Sequence, residues 1–258
     1  MDLENIYSQY LNNESRLYTE KNYKPEQFSA SSAGSCLKKQ WYRYHNIEQS
    51  DASDNQGMRK MRLGTLVHKD FEKAVKFYVD RIYHGDYSIK TEHEVKLNDY
   101  PITGHIDVAM VHNTENKAWI WDYKTAAMNS WRLTFGRKSN PFHHRNYGLQ
   151  VATYAIGLCD TEDTIESYFD IEMGLIWYKK DDSFMREQEV PQSFLFDAHN
   201  YWDDAVQFAT EIEDETEIKA KVDVGIPFKS WECNYCNWKT ICHEQIKGTK
   251  IKEKEYAS

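Results

Sequence analysis

The chain has 258 residues, 40% of them hydrophobic and 14% aromatic, which is enough to bury a core without disulfides. Its net charge of −9 argues against a protein that coats nucleic acid non-specifically, although a carboxylate-lined metal centre or a basic groove can sit on an acidic surface. No apolar run approaches the roughly 20 residues of a membrane span. The start MDLENIYSQYLNNES lacks the basic-then-apolar layout of a secretory leader, so a cytoplasmic protein with no membrane partner is expected.

In chain order, Leu3 to Leu17 has a helical pattern within a polar, tyrosine-rich stretch. The serines of FSASSAGSC can cap a helix starting near Ala33 and carrying Cys36, Trp41 and Tyr44. Residues 48–56 read as a polar loop. From Gly57 to Ile82 the apolar residues Met61, Leu66, Phe71, Val75 and Tyr78 recur near the helical period and predict a core-facing stripe, with His68 and Glu72 sharing a face. SIKTEHEVKL, ITGHIDVAMV and KAWIWDYKT then read as a meander of three strands, with turns at 98–101 and 112–116. A loop and a helix over 141–159 follow, then a strand at IEMGLIWYKK, a short partner at Met185–Val190 and a long acidic helix over 194–221. The end is cysteine-rich, and the tail KGTKIKEKEYAS is charged and expected to fray.

The informative segment is GHID, fourteen residues, then DYK. In an antiparallel pair joined by a short turn, Asp107 and Asp122 can become neighbours, and Lys124 projects from the same face as Asp122. Two carboxylates and an ammonium meeting at one end of a sheet suit phosphodiester cleavage. Hard cations such as Mg2+ and Mn2+ prefer oxygen ligands, and a nearby lysine can orient water or neutralise developing charge. The competing reading is a set of solvated strand-end charges. Three companions bear on the choice: GTLVH with His68, QVATY with Gln150 and Tyr154 one helical turn apart, and Glu94, which reads as facing water.

The order GxxxH, GxxD, DxK, QxxxY resembles the RecB-type nuclease motifs of the PD-(D/E)XK superfamily. Ile106 stands where the superfamily's nominal pair has proline. The resemblance implies an α/β fold with a restriction-endonuclease-like core, a mixed central sheet flanked by helices. It implies His68, Asp107, Asp122 and the Tyr123 carbonyl as ligands of Mg2+ or Mn2+, and Lys124 as the catalytic lysine. Gln150 and Tyr154 would position substrate or orient that lysine.

Five cysteines, an odd number, disfavour a disulfide framework. Cys233, Cys236 and Cys242 are spaced as a metal site, with Cys36, Cys159 or His243 available as a fourth ligand. Cys159 ends an apolar helix face and reads as a small buried hydrophobe. One cysteine before the core and three after it resemble the iron–sulfur nucleases, AddB-type and CRISPR-associated (Cas-four-like). That likeness implies a [4Fe–4S] cluster on Cys36, Cys233, Cys236 and Cys242, with zinc as the alternative. The expected layout is an N-terminal helical segment (1–56), a nuclease core (57–190), a helix with the cluster segment (191–246) and a frayed tail (247–258).

Basic residues interleaved with aromatics precede the first core helix and follow the DYK strand. Cations track phosphates and rings stack on unpaired bases. Arg43, Trp131, Arg132, Arg137, Lys138 and Arg145 are therefore candidate DNA contacts, the later group lying in an expected loop. The resulting expectation is a stand-alone exonuclease on single-stranded DNA or DNA ends. Its settings would be recombination and repair, phage DNA processing or CRISPR adaptation, with room for protein partners and a homo-oligomer. A sequence-specific endonuclease and a non-catalytic DNA-binding module are the rivals.

Overall fold

The computed structural model describes residues 2–22, 24–51, 53–82, 85–137, 139, 143–162, 165–212 and 230–245. The helices are α1 (Leu3–Asn22), α2 (Leu37–Tyr44), α3 (Asn55–Ile82), α4 (Met128–Phe135), α5 (Arg145–Thr161), α6 (Ser193–Glu211) and α7 (Lys239–Gln245). The strands are β1 (Phe28–Ser29), β2 (Tyr87–Leu97), β3 (Ile102–His112), β4 (Ala118–Ala126), β5 (Ile171–Lys179) and β6 (Met185–Val190). Among the described residues no helix is long and apolar enough to cross a membrane.

The strands form one mixed sheet. β2 runs antiparallel along the whole of β3, from Tyr87 opposite His112 to Leu97 opposite Ile102. The other edge of β3 is shared. β1 pairs with Ile102 and Thr103, and β4 pairs only with Val108 to Val111. β3 and β4 thus part company at their last pair, Val108 and Trp121, while β4 continues parallel to β5 as far as Ala126. This fork positions the site.

The core lies between the sheet and α5, whose residues from Gly148 to Leu158 are all buried. A helix apolar all round must be covered on every side. Here α6 covers it, with the Trp202 indole donating to Thr153 Oγ1 at 2.9 Å. α2 is locked onto the same layer, since Gln40 donates to the Tyr201 hydroxyl at 2.8 Å and the Trp41 indole to the Ile212 carbonyl at 2.7 Å. Every expected strand and the α/β class are present, as a mixed sheet flanked by helices.

Three expectations change. The second helix begins at Leu37 rather than near Ala33. Gly34 takes a left-handed φ of 75° and Cys36 is extended, so the serine run forms a short 3-10 turn instead of a cap. The stretch after DYK, read as a loop, contains α4, because Trp131 and Phe135 pack together at 4.7 Å and give it an apolar side. On α3, Met61, Leu66 and Tyr78 are exposed at 55%, 49% and 59%. The helix meets the sheet through a narrow stripe, chiefly Phe71 on the Tyr123 ring at 4.4 Å, so much of the expected core face looks outward. The long acidic helix is seen to Glu211, while 213–221 and the tail 247–258 lie outside the described residues.

Candidate active site at the strand fork

Asp107 and Asp122 are the first residues beyond the last pair of the β3–β4 ladder, directly opposite one another in register. Directly opposed residues share a face. Asp107 Oδ2 accepts a hydrogen bond from the Tyr123 N–H at 2.8 Å, replacing the ladder bond that the fork removes. In a strand the N–H and C=O of one residue point to the same side, so the Tyr123 carbonyl also faces the fork. From α3, His68 Nδ1 lies 3.4 Å from Asp107 Oδ2.

Lys124 follows two residues after Asp122. Its ammonium sits 2.5 Å from Asp122 Oδ2 and donates to Gln150 Oε1 at 3.0 Å. The Gln150 amide donates to Asp122 Oδ1 at 3.1 Å and to the Tyr154 hydroxyl at 2.9 Å. The QxxxY turn of α5 therefore bridges the carboxylate and the ammonium. Gly104 makes this approach feasible, because a Cβ there would lie 2.5 Å from Ala30 Cβ and 3.0 Å from the Tyr154 ring.

The charges are strongly coupled. Burial pushes the Asp122 carboxyl up to about 7, against the pull of Lys124 and with help from Asp107. Burial would also raise Asp107, but the hydrogen bond and charge of His68 prevail and hold it below the usual carboxylate range. Burial disfavours the His68 imidazolium, yet Asp107 raises it above its ordinary value. Lys124 is raised because Asp122 outweighs its own desolvation.

The donor set fits a hard divalent cation: two carboxylates, one imidazole and a carbonyl. Asp122 is buried, and its Oδ2 is paired with the Lys124 ammonium. In this arrangement no three His, Cys, Asp or Glu side chains among the described residues stand at coordination distances. The ammonium of Lys124 is the cation that Asp122 faces.

A family model described as the PD-(D/E)XK nuclease superfamily matches residues 67–243, more than half of the chain. The chain belongs to the PD-(D/E)XK nuclease superfamily. The solved structures include a similar one, the crystal structure of SSO0001, at 15% identity and a TM-score of 0.53, covering 94% of this chain and 98% of that one. That likeness is one of fold. No curated protein matches the chain.

The superfamily core also carries the cysteine segment. Cys36 is the N-cap of α2, while Cys233 lies in a 3-10 turn over Ser230–Tyr235, Cys236 follows that turn and Cys242 lies on α7. Burial pushes the Cys36 thiol far up, and Cys242 adds to the effect; Cys233 in turn feels Cys242 and Cys236. Among the described residues no three of these thiols stand together as a metal-holding group. Cys159 lies apart, its thiol directed at the Ile165 carbonyl. The segment is also held without metal. Asp51 accepts from the Thr240 N–H at 2.7 Å and from its hydroxyl at 2.9 Å. Buried Trp238 donates to the Ile47 carbonyl at 2.9 Å and stacks on Tyr42 at 5.8 Å. These bonds fasten residues 237–240 to residues 42–51.

The candidate DNA contacts divide. Arg132 and Arg137 are exposed near α4, while Lys138 lies outside the described residues. Trp131 is engaged with Phe135 and Phe184. Arg145 pairs with Asp197 at 2.5 Å and ties α5 to α6, a structural use that its place after DYK did not suggest. Arg43 lines a groove described below. Glu94 is exposed, 3.7 Å from Lys96.

Two residues were missed. Glu92 stands opposite Asp107 in the β2–β3 register, with a left-handed φ of 49° inside a strand, and burial with the Asp107 charge raises its carboxyl. Counting the register back from the 98–101 turn would have found it. The Tyr147 ring lies 4.7 Å from Lys124 Nζ, a cation–π contact from one turn before Gln150 that no motif spacing signals.

Proposed function

We propose that the chain is a Mg2+- or Mn2+-dependent deoxyribonuclease that acts as an exonuclease on single strands or DNA ends. The observation that carries this is the fork, which brings Asp107, Asp122 and Lys124 to one point and ties them to Gln150 and Tyr154. His68, Asp107, Asp122 and the Tyr123 carbonyl would hold the divalent ion, which supplies Lewis-acid polarisation of the scissile phosphate when bound.

The residues then have distinct tasks. Lys124, already aimed by Gln150, orients the attacking water and offsets the charge that grows on the phosphate oxygens. Tyr154 holds the Gln150 amide and faces incoming substrate. His68 keeps Asp107 ionised. Recombination and repair, phage DNA processing and CRISPR adaptation are the settings in which such an activity would serve.

Cys36, Cys233, Cys236 and Cys242 would hold a structural [4Fe–4S] cluster. Their spacing, one cysteine before the core and three after it, supports this, and four thiolates equally suit zinc. Purified protein is expected to be coloured and to contain stoichiometric iron. A colourless protein with stoichiometric zinc would replace the cluster by a zinc site.

The reaction is tested with Mn2+ and two substrates, end-labelled linear DNA and circular single-stranded DNA. Release of short products from ends, with the circle spared, is expected. Cutting of the circle would assign endonuclease action, and no cutting of either would leave a DNA-binding module on this fold.

A further inference from the structure

A groove of about 780 Å3 runs along β1 and the start of β3, with α2 as one wall and the cysteine segment at its far end. One end opens on Tyr154 and Gly104, with Glu92 beside them. The Tyr154 hydroxyl is hydrogen-bonded to Gln150, which bridges Asp122 and Lys124, so Tyr154 belongs both to the groove wall and to the network at the fork. Toward the other end the lining changes to Lys24, Lys39 and Arg43, with the amides of Gln27, Gln49 and Asn237. Asn237 donates to Gln49 at 2.9 Å, so the cysteine segment closes the wall.

Resting on the nuclease reading, we propose that this groove is the path of a single nucleic-acid strand, held by its phosphates at the α2 end and delivered to the fork at the Tyr154 end. Charge supports the direction. Glu92 and Glu94 lie at the fork end, where a divalent cation is expected, Glu94 sharing its charge with Lys96. The lysines and the arginine lie where a phosphate backbone would have to be gripped, with Glu48 the acidic group among them. Cations and amides can both bond to phosphate oxygens, and the aromatic walls Phe28, Trp238 and Tyr154 are buried, at 1%, 6% and 2%, so the grip assigned here is on the backbone rather than by stacking. The volume is in the range of a small-ligand cleft, which suits one extended strand.

The test uses the full chain, with a fluorescent 20-nucleotide oligothymidylate and a blunt duplex of the same length, in EDTA so that binding is read without cleavage. The single strand should bind at least about tenfold more tightly than the duplex. Lys24→Glu with Lys39→Glu should weaken single-strand binding about tenfold or more. It should also flatten the slope of log K against log salt by roughly 1.4, two phosphate contacts at about 0.7 each. Lys24→Glu alone, away from the cysteines, should weaken it about threefold, whereas Lys117→Glu at the β3–β4 turn should stay within about twofold of wild type. Circular dichroism and metal content check each fold, and Lys24→Gln with Lys39→Gln repeats the slope if the reversed pair misfolds. Duplex binding as tight as single-strand binding, or lysine variants within about twofold of wild type, overturns the groove. The nuclease reading fails separately, if wild type with Mn2+ hydrolyses neither bis(p-nitrophenyl) phosphate nor end-labelled DNA while the groove still binds.

Discussion

The fork and the cysteine segment solve the same problem, bringing distant residues together, by different means. At the fork, strand register does the work: once Val108 pairs with Trp121, Asp107 and Asp122 are opposed, and Lys124 follows on the same face. In the cysteine segment no sheet or long helix sets the spacing. Residues 237–240 are fastened to residues 47–51, close after the helix that follows Cys36, through side-chain bonds of Asp51, Trp238 and Asn237. The first arrangement is set by the backbone, which is what preorganisation requires, and the second depends on side-chain bonds between distant segments.

The largest effect should come from breaking the fork. Lys124→Ala should lower kcat for DNA cleavage by about a thousandfold or more, a few kcal/mol of lost charge stabilisation. It also strips buried Asp122 of its cation, and loss of one partner of a buried pair costs about 3–5 kcal/mol. Added Mn2+ should therefore raise the melting temperature of the variant more than that of wild type. Equal shifts in both would mean that Lys124 does not stand in for the metal at Asp122.

Breaking the cysteine segment should separate stability from chemistry. Cys242→Ser is expected to lose the bound iron and to lower Tm by roughly 5–15 °C, several kcal/mol at about 2–4 °C each. The affinity of the fork for Mn2+, measured by calorimetry, should change less than about threefold. A variant that keeps both metal and Tm would show that hydrogen bonds alone hold this end.

The contrast also explains what the sequence revealed. Period-2 alternation and two short turns placed all three meander strands to within a residue or two, and the motif spacing needed only that register to assemble Asp107, Asp122, Lys124, Gln150 and Tyr154. The α3 stripe misled because a helical period reports an apolar face but not what covers it; Met61 and Leu66 face outward. Arg145 was legible as a cation, not as the partner of Asp197, since that pairing depends on how α5 packs on α6. Glu92 was hidden by a backbone conformation that strand propensity does not anticipate.

A smaller effect should come from pH. Asp122 is pushed up to about 7 by burial and His68 is raised by Asp107, so both take up protons as pH falls through the neutral range. A divalent ion binds the deprotonated forms and must displace those protons. The affinity for Mn2+ should therefore fall by about tenfold or more between pH 8 and pH 6, in calorimetry under conditions without DNA. Binding that is flat over this range would remove Asp122 and His68 as ligands together.

The smallest effect sharpens the claim that the fork is tuned beyond its motifs. Tyr147 holds its ring 4.7 Å from the Lys124 ammonium, and a partly desolvated cation–π contact contributes about 0.5–2 kcal/mol. If that contact keeps Lys124 aimed, Tyr147→Leu should lower kcat roughly 2- to 30-fold with KM little changed, while Tyr147→Phe, which keeps the ring, should stay within about twofold of wild type. The ring also packs on His144 and Trp177, so a purely structural role would lower Tm in the leucine variant without moving the pH profile of kcat. A shift of the limb assigned to Lys124 in the leucine variant but not the phenylalanine one separates the two, because the π cloud facing that nitrogen is kept in phenylalanine and lost in leucine.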